Sequence, residues 1–143
     1  MKPTKALLFV LTLTVALSTP TKSSAQQSKF DGKSPAWWSQ LEQQLEKSLN
    51  QPIDQVRDET LQHIVFFATN YAEQIDLTGL TPELLNIYEN ERNEATRTMA
   101  VVALRAIGNR SSMNRLARLV ENEPPGSLRN ITMAMIADYK RSS

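Results

Sequence analysis

The 143-residue sequence contains no cysteine and a single histidine, His63. A chain without cysteine forms no disulfide, so packing alone must hold it together. Zinc and copper sites draw on thiolate and imidazole ligands, and one histidine without cysteine cannot supply such a set. No serine–histidine–acid arrangement has a recognisable setting in the sequence. The acids Glu89, Glu91 and Glu94 lack the alternating pattern of a calcium-binding loop. We therefore expect no enzyme, no metal and no cofactor.

The sequence also lacks an apolar run long enough to form a stable transmembrane helix. Its most apolar segment, Ala6 to Ala16, has eleven residues and includes two threonines, whereas a span needs about 18 or more. Lys2 and Lys5 precede this segment and Ser23-Ser24-Ala25 follow it, which is typical of a secretory signal peptide cleaved after Ala25. An uncleaved N-terminal anchor is the alternative. With cleavage, the pattern predicts a periplasmic or secreted protein that meets the membrane only transiently, through the signal peptide.

A strong excess of positive charge is missing as well. The formal net charge of the whole chain is +1. Removing residues 1–25 from 143 leaves 118 residues and takes away three lysines and no acid, so the remaining charge is −2. A nucleic-acid-binding domain is usually strongly basic, and we therefore expect no nucleic-acid partner. The predicted organisation is a signal peptide at 1–25, a polar leader at 26–33 and one helical domain at 34–143, a size that supports a single core.

Apolar residues recur at helical spacing through the rest of the chain and predict six helices and no strand. Ser34 followed by Pro35 is typical of a capped helix start. The second predicted helix runs from Ile53 to Ile75, and Thr81 is predicted to cap the third. Gly108 followed by Asn109 predicts the end of the fourth helix and the start of the fifth.

The six predicted helices form three pairs whose second members share a register. Aligning them on Arg57, Arg97 and Arg129 places small residues three positions later and large apolar residues four and seven positions later, on one helix face. The aligned sets are Thr60, Ala100 and Thr132; Leu61, Val101 and Met133; and Ile64, Leu104 and Ile136.

An arginine in the first turn of a helix faces the positive end of the helix dipole, at a cost of about 0.3–1 kcal/mol if unpaired. Three such arginines predict specific acidic partners. Asp54 and Glu94 each stand three residues before an arginine, whereas the third copy has Gly126 at that position. We interpret Arg57, Arg97 and Arg129, with Asp54 and Glu94, as a structural ladder rather than a ligand site.

The segment "TRTMAVVALRAIGN" resembles the second helix of a HEAT repeat, especially the short HEAT-like repeats of bilin-lyase-type proteins. Residues 94–121 match well, 126–139 moderately and 53–71 weakly. The resemblance implies a short α-solenoid of about three antiparallel helix pairs, joined by a ladder of arginines and loop acids. The arginines are 40 and 32 residues apart, whereas HEAT and armadillo repeats span about 40–47 residues, so the array is irregular and the first pair may be an end cap.

The basic residues are unevenly distributed. Residues 73–94 hold six acids and one base, and residues 95–120 hold five arginines and no acid. Mutual neutralisation by neighbouring helix pairs is one interpretation, and an anion-facing surface at Arg105, Arg115 and Arg118 is the other. Trp37 is a further candidate, because Trp38 aligns with the core leucines and leaves Trp37 at the edge of that face.

These observations favour a non-catalytic interaction or scaffold module of the bacterial cell envelope. Its partner would be an unidentified envelope protein or a second copy of the chain, in which case a homodimer forms. The alternative is an accessory or regulatory subunit, or a bilin-lyase-like protein that holds a small molecule in its concave groove. The positions expected to face that groove stand one, five and eight residues after each aligned arginine and include Asp58 and Arg105. They are mostly small or polar, which suits helix contacts better than a large ring system.

Overall fold

Regular structure in residues 29–143, the part of the chain that this computed structural model describes, is helical throughout, with no strand. The predicted signal peptide, its cleavage site and residues 26–28 of the leader lie outside the described residues. The all-α class and the number of helices are confirmed. The helices are α1 (Pro35–Leu49), α2 (Asp54–Asn70), α3 (Thr81–Asn90), α4 (Glu94–Ile107), α5 (Arg110–Leu119) and α6 (Ser127–Ser142), with 3₁₀ turns at Thr78–Leu80 and Val120–Asn122.

Local side chains fix several helix ends. The Ser34 hydroxyl accepts a hydrogen bond from the Trp37 N–H at 3.2 Å, so α1 begins as its sequence predicts. The Asn109 side chain likewise accepts from the Ser112 N–H at 3.0 Å and caps α5. Gly108 ends α4 with φ 67°, in the left-handed region that glycine adopts most easily.

Two predicted helix boundaries are wrong. Helix α2 ends at Asn70 rather than at Ile75. The chain turns at Tyr71, whose carbonyl accepts from the Ile75 N–H at 3.1 Å, and the turn buries Tyr71 and Ile75 in the core. Thr81 lies inside α3 instead of capping it, and its hydroxyl donates to the Thr78 carbonyl at 2.8 Å. Core burial outweighs local helix propensity at the first site.

The helices pack in an order that follows the chain. Helix α1 contacts α2, α2 contacts α4, and α4 contacts α6, while α3 lies against α4 and α5. Helix α4 occupies the centre of this arrangement. Its Ala100, Val101, Ala103 and Leu104 are fully inaccessible to solvent, and the two alanines allow neighbouring helices to approach closely.

The shared register appears in the burial pattern, with one exception. Thr60, Ala100 and Thr132 are all buried, and the two threonine hydroxyls donate to backbone carbonyls four residues earlier, which satisfies them. Met133 was predicted to be a core residue, but its side chain is 50% exposed. It lies on α6, and no described helix packs over that side of α6 as α4 packs over α2. The sequence favours a partly buried helix position for His63, beside the core-facing residues, but the side chain is exposed.

Candidate interaction surfaces

Arg57 connects the first helix pair to the loop before α4. Its guanidinium Nη2 lies 2.7 Å from Asp54 Oδ1 and 2.6 Å from Glu91 Oε2. Asp54 is largely exposed, whereas Arg57 and Glu91 keep less than a fifth of their side-chain surface in water. The better-shielded partner is therefore Glu91, from the following helix pair. The buried Arg57 Nε has no hydrogen-bond partner among the described residues.

Arg97 makes the corresponding connection to the loop before α6. Its Nη1 and Nη2 donate to the two carboxylate oxygens of Glu123 at 3.1 and 2.6 Å, and its Nε donates to the Tyr88 carbonyl at 2.6 Å. The guanidinium carbon also lies 5.2 Å from the centre of the Tyr88 ring. Only 20% of the Arg97 side chain and 12% of the Glu123 side chain are exposed. This two-pronged, shielded geometry is the strongest form of an arginine–carboxylate contact.

Each acid that pairs with an arginine of the preceding helix pair stands six residues before the arginine of its own pair. The sequence had instead pointed to acids three residues before each arginine. Glu91 precedes Arg97 by six positions, and Glu123 precedes Arg129 by six. Glu94, which the sequence suggested as the partner of Arg97, lies in the first turn of α4 and forms no ion pair among the described residues. The repeated spacing of Glu91 and Glu123 can be read in the sequence. The arginine that each acid contacts belongs to the preceding helix pair, and only the packing identifies that arginine.

Two ionisable groups near this ladder have altered pKa values. The pKa of Glu91 is lowered, first because its carboxylate accepts the backbone N–H of Arg92, and then through the Asn93 N–H and the charge of Arg57. Burial raises the pKa of the Tyr88 hydroxyl. Both groups belong to the ladder itself, because Tyr88 lies beside Arg97 and Glu123, and Glu91 beside Arg57.

The arginines proposed as an anion-facing surface have different environments. Arg105 joins α4 to α6, because its side chain contacts Asp138 Oδ2 at 2.7 Å and donates to Ser142 Oγ at 2.9 Å. Arg115 pairs with Glu89 at 3.3 Å and remains 55% exposed. Arg118 is exposed and forms no ion pair among the described residues. The structure therefore does not bring the three side chains into one free basic patch.

Trp37 and Trp38 occupy the positions expected from their adjacency. Trp38 is buried, 5.2 Å between ring centres from Tyr71. Trp37 is half-buried, edge-on to Trp38 at 4.9 Å, with the Lys33 ammonium 5.3 Å from its ring centre. Trp37 thus has contacts within its own helix and still presents part of its ring to solvent.

Residues 29–143 contain no group of three or more metal-binding side chains close enough to hold a metal ion. Over the same part of the chain, no helix has the length and apolarity that a membrane span requires. No known protein family, curated protein or solved structure matches this chain. The resemblance to HEAT repeats therefore rests on the sequence pattern alone.

Proposed function

We propose that this protein is a non-catalytic interaction or scaffold module of the bacterial cell envelope, built as a short HEAT-like solenoid of three helix pairs. The observation that carries the proposal is the repeated link between pairs: Arg57 to Glu91, then Arg97 to Glu123. Stacked helix pairs contact mainly their neighbours and build an extended surface rather than an enclosed pocket. Such a surface suits the recognition of another protein.

The continuous contacts of α2 with α4 and of α4 with α6 support the same arrangement. The positions that would line a concave groove are partly used between helices. Asp58 on α2 accepts a hydrogen bond from the Thr96 hydroxyl on α4 at 2.8 Å, and Arg105 on α4 pairs with Asp138 on α6. These contacts favour the interaction module over a groove that holds a small molecule.

Affinity capture with the full chain tests this function. The tagged protein is produced in its own host, cross-linked in the intact envelope, purified and analysed by mass spectrometry. We expect a stoichiometric protein partner, or a second copy of the chain, that binds the purified protein saturably. A chain that captures neither, and instead purifies with a chromophore or another small molecule, would overturn the proposal.

Localisation has its own test. Cleavage after Ala25 predicts that the mature protein begins at Gln26, and N-terminal sequencing of the protein recovered from periplasm or medium checks this. A protein recovered from the cytoplasm with Met1 or Lys2 at its start would contradict export.

A further inference from the structure

Helix α6 exposes Met133 and Ala137 beside a groove with an apolar floor. Met133 is 50% exposed, and it lies with Ala117, Val120, Ile136 and Ala137 along a shallow groove between α5 and α6. The residues equivalent to Met133 in the other two pairs, Leu61 and Val101, are fully inaccessible to solvent. Helix α4 packs against α2 and helix α6 packs against α4, whereas no later helix among the described residues packs against α6.

The arginine at the edge of this groove lacks the contact that its equivalents make. Arg57 and Arg97 each reach a carboxylate in the loop of the following pair. Arg129 donates through Nη1 to the carbonyls of Glu121 and Glu123, at 3.4 and 2.7 Å, and forms no ion pair within residues 29–143. A guanidinium has five N–H donors, and Nε and Nη2 of Arg129 make no hydrogen bond among the described residues, so they can still donate to a carboxylate.

Charge around the groove defines what can occupy it. Lys140 lines it together with Arg129, and Glu121 is the acid on the same side. Residues 1–28 contain lysines but no acid, so this segment offers no carboxylate to Arg129. A second copy stacked in the register of the ladder would present Gln51, six residues before Arg57, and again no carboxylate.

We propose that this groove, formed by Ala117, Val120, Arg129, Met133, Ala137 and Lys140, docks a helical segment of another protein that presents an Asp or Glu to Arg129. Apolar side chains of that segment cover Met133 and bury it as the equivalent Leu61 is buried. The inference rests on the proposed function and names the surface and the chemistry of its partner. Charge-assisted pairing with Arg129 fixes the register, and burial of Met133 and Ala137 supplies affinity.

Site-specific photo-crosslinking in the producing cell tests this surface. A photoreactive amino acid replaces Met133 in the full chain, and Gln43, exposed on α1, serves as the control position. We expect a cross-link to a different protein from position 133 and not from position 43. The linked segment of the partner should be helical and carry an Asp or Glu. A cross-link to a second copy or elsewhere in the same chain, the same product from both positions, or no product at all would overturn the proposal.

The captured partner is then purified and titrated with variants. Arg129→Gln should weaken binding about 10- to 100-fold, as expected for loss of a charge-assisted pair. When the Asp or Glu of the partner is also replaced by its amide, the double variant should bind no more weakly than Arg129→Gln alone. Met133→Asp, at an exposed position, tests the groove without removing the backbone contacts of Arg129. Arg110→Gln, at an exposed position at the start of α5, is the matched control and should leave binding unchanged.

The outcomes separate this inference from the broader function. A partner that binds Arg129→Gln and Met133→Asp as tightly as it binds the wild type leaves the interaction module standing and excludes this groove. A chain that captures no protein refutes both proposals. Circular dichroism and thermal melting of each variant establish that lost binding does not come from lost folding.

Discussion

Replacing Arg97 by alanine removes the most shielded link between two helix pairs. The substitution deletes two hydrogen bonds to Glu123 and one to the Tyr88 carbonyl. It also leaves the Glu123 carboxylate, which is 12% exposed, without its counter-charge. Both losses act on the folded state, so we expect a lower free energy of unfolding with the helical fold retained.

The size of the effect follows from the burial of the pair. Exposed ion pairs contribute about 0–1 kcal/mol, whereas breaking a fully buried pair costs about 3–5 kcal/mol. Arg97 and Glu123 are shielded but still reach solvent, so Arg97→Ala should cost about 2–3 kcal/mol. Arg97→Lys keeps the charge and loses the two-pronged geometry, and an intermediate cost is expected.

Urea unfolding followed by circular dichroism measures these differences, with the slope of the transition checked for constancy. Arg115→Ala is the matched control, because Arg115 also pairs with an acid on another helix but is 55% exposed. It should cost less than about 1 kcal/mol. A double-mutant cycle with Glu123→Gln should give a coupling energy of about 1–2 kcal/mol. The reasoning fails if Arg97→Ala is no more destabilising than Arg115→Ala. Unchanged stability with lost partner binding would make Arg97 a binding residue.

Three further perturbations test other parts of the structure. Gly108→Ala meets no close contact but forces alanine to φ 67°, so thermal or urea unfolding should show a loss of about 1–2 kcal/mol; an unchanged stability would contradict the left-handed cap. The pKa of Glu91 is lowered in the folded state, so the ionised carboxylate stabilises the fold. This contribution to the free energy of unfolding is complete above the unfolded pKa of about 4.3 and is lost as the pH falls through the lowered folded pKa. Glu91→Gln should therefore flatten the fall of the unfolding free energy between about pH 5 and 3, and identical pH profiles would refute this. If Trp37 anchors a second copy of the chain, Trp37→Ala should leave the helical spectrum intact and abolish dimerisation, whereas a wild type that light scattering finds monomeric up to about 100 μM excludes self-association through Trp37.

Spacing in the sequence was enough to predict the number of helices and several of their ends. The 3.6-residue recurrence of apolar side chains predicts six helices, because a helix must bury one face whatever it packs against. Ser34 and Asn109 mark helix starts and Gly108 marks a helix end through contacts made within a few residues. These signals are local, so they survive without knowledge of the fold.

Tertiary packing decided which arginine forms an ion pair with which acid. Glu91 and Glu123 were readable as recurring acids, yet each pairs with the arginine of the preceding pair, a relation that sequence distance does not encode. The end of α2 at Asn70 depends on the burial of Tyr71 and Ile75, which outweighs continued helix formation. Met133 repeats the pattern of a core residue but is exposed, because burial requires a neighbouring helix and a residue's own sequence cannot supply one.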